Sequence, residues 1–517
     1  MSRGNVAIVI GAGPNGLVAA RVLARRGRKV LVLEQADEVG GHTRAIEFAP
    51  GFRSPIGEDT GWVPPAVARL AGIEQLQRAG GAVSTTVMGA DRRTLHLPAR
   101  IPGAVEHIRG ISEDDAVRWP AFVDRMAKFA GILAELYQME PPDIEARGLE
   151  LLPLVGVGRK LRKLGRKDMI EFLRIMPMSI QDLLDDSFEH DMLKSALAAA
   201  AVRDLQQGPR SGGTTFNFLH YMVGAPAGSV RGRPWYTDGP DAFARAMLAV
   251  LQKRKVEVRT GVTVERIVVK DDAVAGVVLA GGEEIGGDMV VSTADPRRTL
   301  LGLVDAEWLD PELMLAAQNI KMRGCTACVM YAVDRVVDDA AKSFTASVSL
   351  TSSTTALEKA ADAAKYGELS AEPHVELFSP TLRWAHLAPE FKHVVTARVQ
   401  YAPYRLRTGE WTTADRDALE RKVTAAIAAV IPNFDSTILH RTVLAPPDIE
   451  ERFGVTEGAV TQGELTLDQI LFARPVPGLG GYAMPIAGLY LGGAGTHPGP
   501  GILGGAGLLA ATRANAG

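Results

Sequence analysis

The chain has 517 residues, 46% of them hydrophobic and 23% charged, with a formal net charge of −3. Such a composition is ordinarily globular and supports a large core, and the length exceeds one typical domain, which predicts two interleaved domains. A near-neutral balance excludes a nucleic-acid partner held by a basic field, and a total of two cysteines suits a reducing compartment.

Residues 5–10 (NVAIVI) form an apolar strand pattern that runs into Gly11-Ala12-Gly13-Pro14-Asn15-Gly16, then the helical pattern LVAARVLARR, then a strand at 29–33 ending at Glu34. The strand starts at residue 5 and leaves no room for a signal peptide, so a cytoplasmic location is expected. Each glycine has its own task. Gly11 permits the tight turn, Gly13 lets backbone approach a pyrophosphate, and Gly16 lets the helix pack closely on the strand. The pyrophosphate then meets free N–H groups at the positive end of the helix. The Glu34 carboxylate can accept both hydroxyls of an adenosine ribose and would repel a 2′-phosphate, which argues against NADP. A plain glycine-rich turn is the bland alternative; the ordered succession of strand, loop, helix, strand and acid argues against it.

Two further features favour FAD over NAD. Six residues after Glu34 comes Gly40-Gly41-His42-Thr43-Arg44, a second close-approach glycine pair beside polar groups. Near the other end, GLYLGGAGTHPGPGILGGAGLLAATR (488–513) adds a strand, a glycine-rich loop and a small-residue helix from about Ile502, suited to the ribitol side of a flavin.

Between these ends, residues 76–230 are mostly helical in pattern. Within them RKLRKLGRK (159–167) places six basic residues in nine, and Leu161, Leu164, Met169 and Phe172 can share one helical face. Two readings stand: a basic amphipathic helix over 159–176 resting on anionic lipid, an entrance for a lipophilic substrate, or a solvated face of the helical region. A helix (DAFARAMLAVLQKR) follows Asp238-Gly239-Pro240, and sheet patterns separated by Gly and Asp-Asp turns run to 295. Cys325 and Cys328 are spaced as CxxC, but they lie in a strand-like apolar run where i and i+3 face opposite ways, and no second pair completes a zinc site. The small-polar stretch 346–355 reads as a surface loop, and DRDALERKVTAAIAAVI as a helix. Residues 475–512 lack Asp, Glu, Lys and Arg, yet their five prolines and many glycines would break a spanning helix, so they read as buried cofactor-binding backbone. The ten histidines show no HxxxH or HExxH spacing, and no metal site is expected.

VAIVIGAGPNGLVAARVLARRGRKVLVLEQADEVGG resembles the start of glutathione-reductase-type flavoproteins, which include amine oxidases and phytoene desaturases. GLYLGGAGTHPGPGILGGAG is similar to the C-terminal motif of phytoene desaturase-like enzymes; amine oxidases usually carry an acidic residue where this chain reads Gly493-Ala494-Gly495. STADPRRTLLGLV (292–304), LTLDQILFARPVPG (465–478) and WYTDGPDAFARAM (235–247) point to the branch of phytoene desaturase-related proteins named for a pyridine nucleotide-disulphide oxidoreductase domain. The resemblance implies an α/β fold: a Rossmann-like, glutathione-reductase-type FAD-binding domain (1–75, 230–300 and 472–517) interleaved with a mixed α+β substrate domain with a helical insert (76–229 and 301–471).

The resemblance also implies site residues. Gly11, Gly13, Pro14, Asn15 and Gly16 face the pyrophosphate, and Glu34 the ribose. Gly40, Gly41 and Thr43 pass close to the nucleotide. Many relatives have Arg directly after the glycine pair, so that phosphate contact falls here to His42 or Arg44. The backbone of Val264 meets the adenine; Gly495, Thr496, Ile502 and Gly504 lie along the ribitol and flavin. In such enzymes a substrate C–H delivers hydride to the flavin while a proton leaves elsewhere. His497 is the candidate base, its alternative role being to orient its loop through backbone hydrogen bonds; Glu58 and Asp59 could also reach the substrate side. Three functions compete: a desaturase or dehydrogenase for an apolar, polyene or lipid-like substrate; an amine oxidase, for which Trp235-Tyr236 is the one nearby aromatic pair; and a flavin-folded binding protein without turnover. With no second nucleotide motif, reoxidation is expected from oxygen, a quinone or another carrier.

Overall fold

Strands from opposite ends of the chain meet in one sheet. The structure is a computed structural model and describes residues 5–516 except 59–60, 74–75, 77–84, 90–92, 99–100, 142–151, 227, 231–234, 337–346 and 352. β1 (Val6–Ile10) and β2 (Lys29–Leu33) pair in parallel, joined by α1 (Pro14–Arg25). The sheet runs 489–491, 289–292, β1, β2, 257–259, with every pair parallel. One face is covered by α1 and the helices Ala242–Lys253 and Gly505–Ala514. The other is covered by a three-stranded antiparallel sheet, 264–270, 273–279 and 284–286. Two covered faces explain why β1 and β2 are unbroken apolar runs rather than alternating ones. The strand order reverses at β1, so a crevice opens at the carboxyl ends of the strands there.

A second, seven-stranded sheet runs 438–444, 326–333, 393–400, 374–378, 347–350, 85–88, 94–97. Val329, Val375, Val395 and Ala397 pack on one side with Leu419, Val423 and Ile427 of the helix Thr413–Val430. Helices Glu113–Leu136, Asp191–Ala201 and Thr214–Met222 build a further core with Phe129, Leu193 and Phe218. The first unit is a parallel sheet with two covered faces and the second a mixed sheet with helices, the α/β architecture that was expected.

Three local expectations are corrected. The mostly helical stretch 76–230 also holds two strands, Thr85–Met88 and Thr94–Leu97, whose threonines suit a pleated edge. Within 346–355, Ser347–Leu350 is a buried strand and Ser353 caps the next helix, its hydroxyl accepting from the Ala356 amide. Serine is small enough to fit between layers, so its polarity did not decide its exposure. Finally, 159–176 is not one helix. Leu152–Lys163 and Arg166–Ile175 meet at Gly165, which adopts φ +81°, and Leu161, Leu164, Met169 and Phe172 turn into the core. The Cys325 and Cys328 thiols are buried and free; burial pushes Cys328 up to about 12 and raises Cys325 as well.

Candidate functional site: a dinucleotide cavity with a charged end

At the crevice lies a cleft open to solvent, lined by residues of both α/β units. At one end Glu34 is fixed by two backbone amides: Ala12 N–H donates to Oε2 at 2.6 Å and Ala36 N–H to Oε1 at 2.9 Å. Val262, Thr263 and Val264 line the wall beside it.

The two N-terminal glycine loops face each other next. Gly13 is the N-cap of α1 and brings no side chain to its first N–H groups, which leaves them for a ligand. A Cβ on Gly41 would stand 3.3 Å from the Gly13 Cα. Gly11 adopts φ +96°, where a side chain is strained and would strike Thr293 Oγ1. Gly16 lies off the wall. A Cβ there would collide with the Gly11 carbonyl oxygen, so it seats α1 on the loop itself. Gly40 is also off the wall; its amide donates to the Ala12 carbonyl at 2.9 Å, and its carbonyl accepts from Thr43 Oγ1 at 2.8 Å. Burial, then the charge of Arg44, lower His42 to about 4, so of the two phosphate candidates Arg44 carries the positive charge. Both line the cavity with Thr43, Pro14 and Asn15.

The C-terminal loop closes the far side with Ala494, Gly499, Pro500, Gly501, Ile502 and Leu503. Trp62 clamps it, donating from its amide to Gly501 O at 2.8 Å and accepting from the Leu503 amide at 2.7 Å. Gly495, Thr496 and Gly504 stand behind this wall. Gly495 packs on Pro296, Thr496 Oγ1 donates to Gly493 O at 2.9 Å, and Gly504 starts the last helix against Val18.

His497 stands back from the cavity lining. It is 2% exposed and absent from the cavity wall, its Nε2 lies 3.3 Å from the Leu136 carbonyl, and its ring meets the edge of Tyr137. Its bonds are those of a loop-orienting residue. Glu58 is buried beside Arg383 and off the wall, and Asp59 lies outside the described residues. Trp235 and Tyr236 form no cage: Arg383 covers the Trp235 ring, while the Tyr236 carbonyl accepts from Trp384 Nε1 at 2.7 Å.

The sequence reading missed a charged part of the cavity wall. Arg203, Asp204, Tyr221, Thr326 and Arg398 line it, beside Ile56, Cys328, Ile449, Val455 and Val460. Arg398 pairs with Asp204, and the Tyr221 hydroxyl donates to Asp204 Oδ2 at 3.0 Å. One sign was available: Arg398 is the lone charge in the strand pattern VVTARV.

An acid fixed at one end, two bare glycine loops at a helix N-terminus and a second helix start beyond them together fit FAD. The chain belongs to the flavin-containing amine oxidoreductase family, whose sequence model matches residues 15–515. It is 31% identical over 535 residues to pyridine nucleotide-disulfide oxidoreductase domain-containing protein 2 of Rattus norvegicus, covering 98% of this chain and 92% of that protein. It is 25% identical over 508 residues to the all-trans-zeta-carotene desaturase of Myxococcus xanthus, with 96% and 90% covered. A solved structure of a redesigned putrescine oxidase shares the fold, with TM-score 0.59 and 13% identity over 99% of this chain and 98% of that one. The protein is a flavin-containing oxidoreductase, and FAD is its cofactor. Among the described residues no helix is long and apolar enough to cross a membrane, and no group of three or more His, Cys, Asp or Glu is placed to hold a metal.

Proposed function

We propose that the protein is a FAD-dependent dehydrogenase of the desaturase kind, which removes a hydride and a proton across a carbon–carbon bond of a largely apolar small molecule. Bound FAD supplies the hydride acceptor. The chain supplies binding, orientation and exclusion of water: Glu34 and the glycine loops fix the dinucleotide, and Ile56, Ile449, Val455 and Val460 give a dry surface. The observation that carries this reading is the charge on the cavity wall. Arg203 and Arg398 outnumber Asp204 there, a net positive charge that disfavours a cationic amine, and the one ring contact between wall residues among the described ones, His42 with Phe453, is edge-on and not a stacked cage. Similarity to a carotene desaturase supports the same reading.

The proposal includes contact with anionic lipid through 152–175. Val155, Ile170 and Leu173 are exposed there beside Arg159, Arg162, Lys163, Arg166 and Lys167, a basic and apolar surface of the kind that rests on a membrane.

Anaerobic mixing of the FAD-loaded protein with candidate substrates tests the chemistry. Loss of the flavin colour with an alkene-forming substrate, and none with putrescine, is expected. Bleaching by the amine would move the assignment to an amine oxidase. A colour that no substrate bleaches would leave a binding protein without turnover.

A further inference from the structure

We propose that Arg398 receives a carboxylate of the substrate, which makes that substrate an amphipathic acid rather than a plain hydrocarbon. The inference rests on the dehydrogenase reading for what the cavity does and adds what it recognises. It begins with register. Arg398 stands opposite Cys328 on one neighbouring strand and Glu376 on the other, and residues in one cross-strand row share a face of the sheet. The opposite face carries the aliphatic Val395, Ala397 and Val399. Arg398 is therefore held toward the cavity, on whose wall it lies, although its side chain is only 7% exposed.

Its hydrogen bonds are uneven. One guanidinium nitrogen, NH2, donates to the Asp204 carboxylate and to Thr326 Oγ1 at 3.2 Å. Nε and NH1 have no protein acceptor among the described residues. Neither atom is fully buried, and Arg398 lines the cavity, so both donors are open to a ligand there. The nearby acids cannot turn to meet them. Asp204 accepts from Tyr221 at Oδ2, and Arg203 Nε lies 3.7 Å from that same oxygen. Glu376 lies 3.7 Å from His374 Nε2. The unmet donors thus wait for an acceptor that arrives with a ligand. A carboxylate is the monoanion that planar guanidinium N–H groups match best, and Ile56, Ile449, Val455 and Val460 on the same wall suit a hydrocarbon remainder.

The test is a binding measurement on the FAD-loaded protein, with octanoate and octanol as probes and perturbation of the visible flavin spectrum as readout. Octanoate should bind about tenfold to hundredfold more tightly than octanol, the range for a hydrogen bond to a charged group. Arg398→Gln should abolish that preference and leave octanol binding unchanged, while Arg398→Lys keeps part of it. Equal binding of the two probes, no spectral change with either, or a preference that survives Arg398→Gln would each overturn the proposal. Arg398→Gln protein that folds but emerges without FAD would overturn it too, assigning the charge to the cofactor. Should Arg398→Gln not fold, the wild-type preference and its size in Arg398→Lys decide. Because the readout is binding, it can fail while substrates still bleach the flavin, and it can succeed when none does.

Discussion

Arg474 shows how one residue can hold a cofactor loop. It is 2% exposed and has no carboxylate partner among the described residues. Its guanidinium instead donates to the carbonyls of Thr461, Gly463, Glu464, Gln469 and Ala494. Burial lowers it to about 10, still protonated at neutral pH. Hydrogen bonds to charged groups contribute about 1.5–3 kcal/mol each but are not additive, so Arg474→Met should destabilise the fold by about 3–5 kcal/mol, read as the shift in urea unfolding. Arg474→Lys should recover less than half of this, because three ammonium hydrogens cannot reach five carbonyls. His497 makes a pH prediction. Burial lowers it to about 4, against an unfolded value near 6.5. Between these values the unfolded chain binds the proton and the folded one does not, so stability is present above 6.5 and lost as pH falls toward 4. The loss is at most about 1.4 kcal/mol per pH unit. Thermal unfolding of His497→Gln across that window should fall less steeply than wild type; parallel curves would refute the assignment.

At the scale of elements, the pair of helices 152–163 and 166–175 separates what periodicity can and cannot tell. The positions that repeat with helical spacing, Leu161, Leu164, Met169 and Phe172, were legible as one face, and they are the face turned inward. Spacing alone does not say whether an apolar stripe meets lipid or protein. The break at Gly165 re-aims the second helix, and exposure then falls on residues outside the stripe. The proposed lipid contact therefore rests on Val155, Ile170 and Leu173 together with the basic residues. Flotation with anionic liposomes at low salt should carry wild type upward, and Ile170→Ser/Leu173→Ser should remain with the unbound fraction. If wild type also stays unbound, the surface is merely solvated. The buried strand 347–350 is the converse case: Ser347 and Ser349 have few atoms to desolvate and fit where layers meet, so composition alone pointed the wrong way.

Across the whole molecule, legibility follows how much of a function is local. Gly11, Gly13 and Glu34 were readable because a nucleotide loop is a short-range device: strand, turn, helix and acid lie within one unit. Arg398, Asp204 and Tyr221 were not, because they come from a strand, the turn after one helix and the end of another helix, and no spacing in the chain ties them together. His497 lay between these cases. Its neighbours Ala494 and Gly499 line the cavity, but the direction of its ring is set by Leu136 and Tyr137, far away in sequence.

The first sheet takes its outermost strand from 489–491, and the last helix packs on α1. During synthesis at about 5–20 residues per second, roughly half a minute to a minute and a half passes between the emergence of the glycine loop and that of its partner. For the last part of that interval, the roughly 10–40 seconds in which the following 200 or so residues are made, Met289–Ser292, whose residues are all buried in the finished fold, presents an unpaired apolar edge, the kind that invites pairing with another chain. The nascent protein thus passes through a period of exposure to aggregation, and FAD has a complete seat only once that period ends.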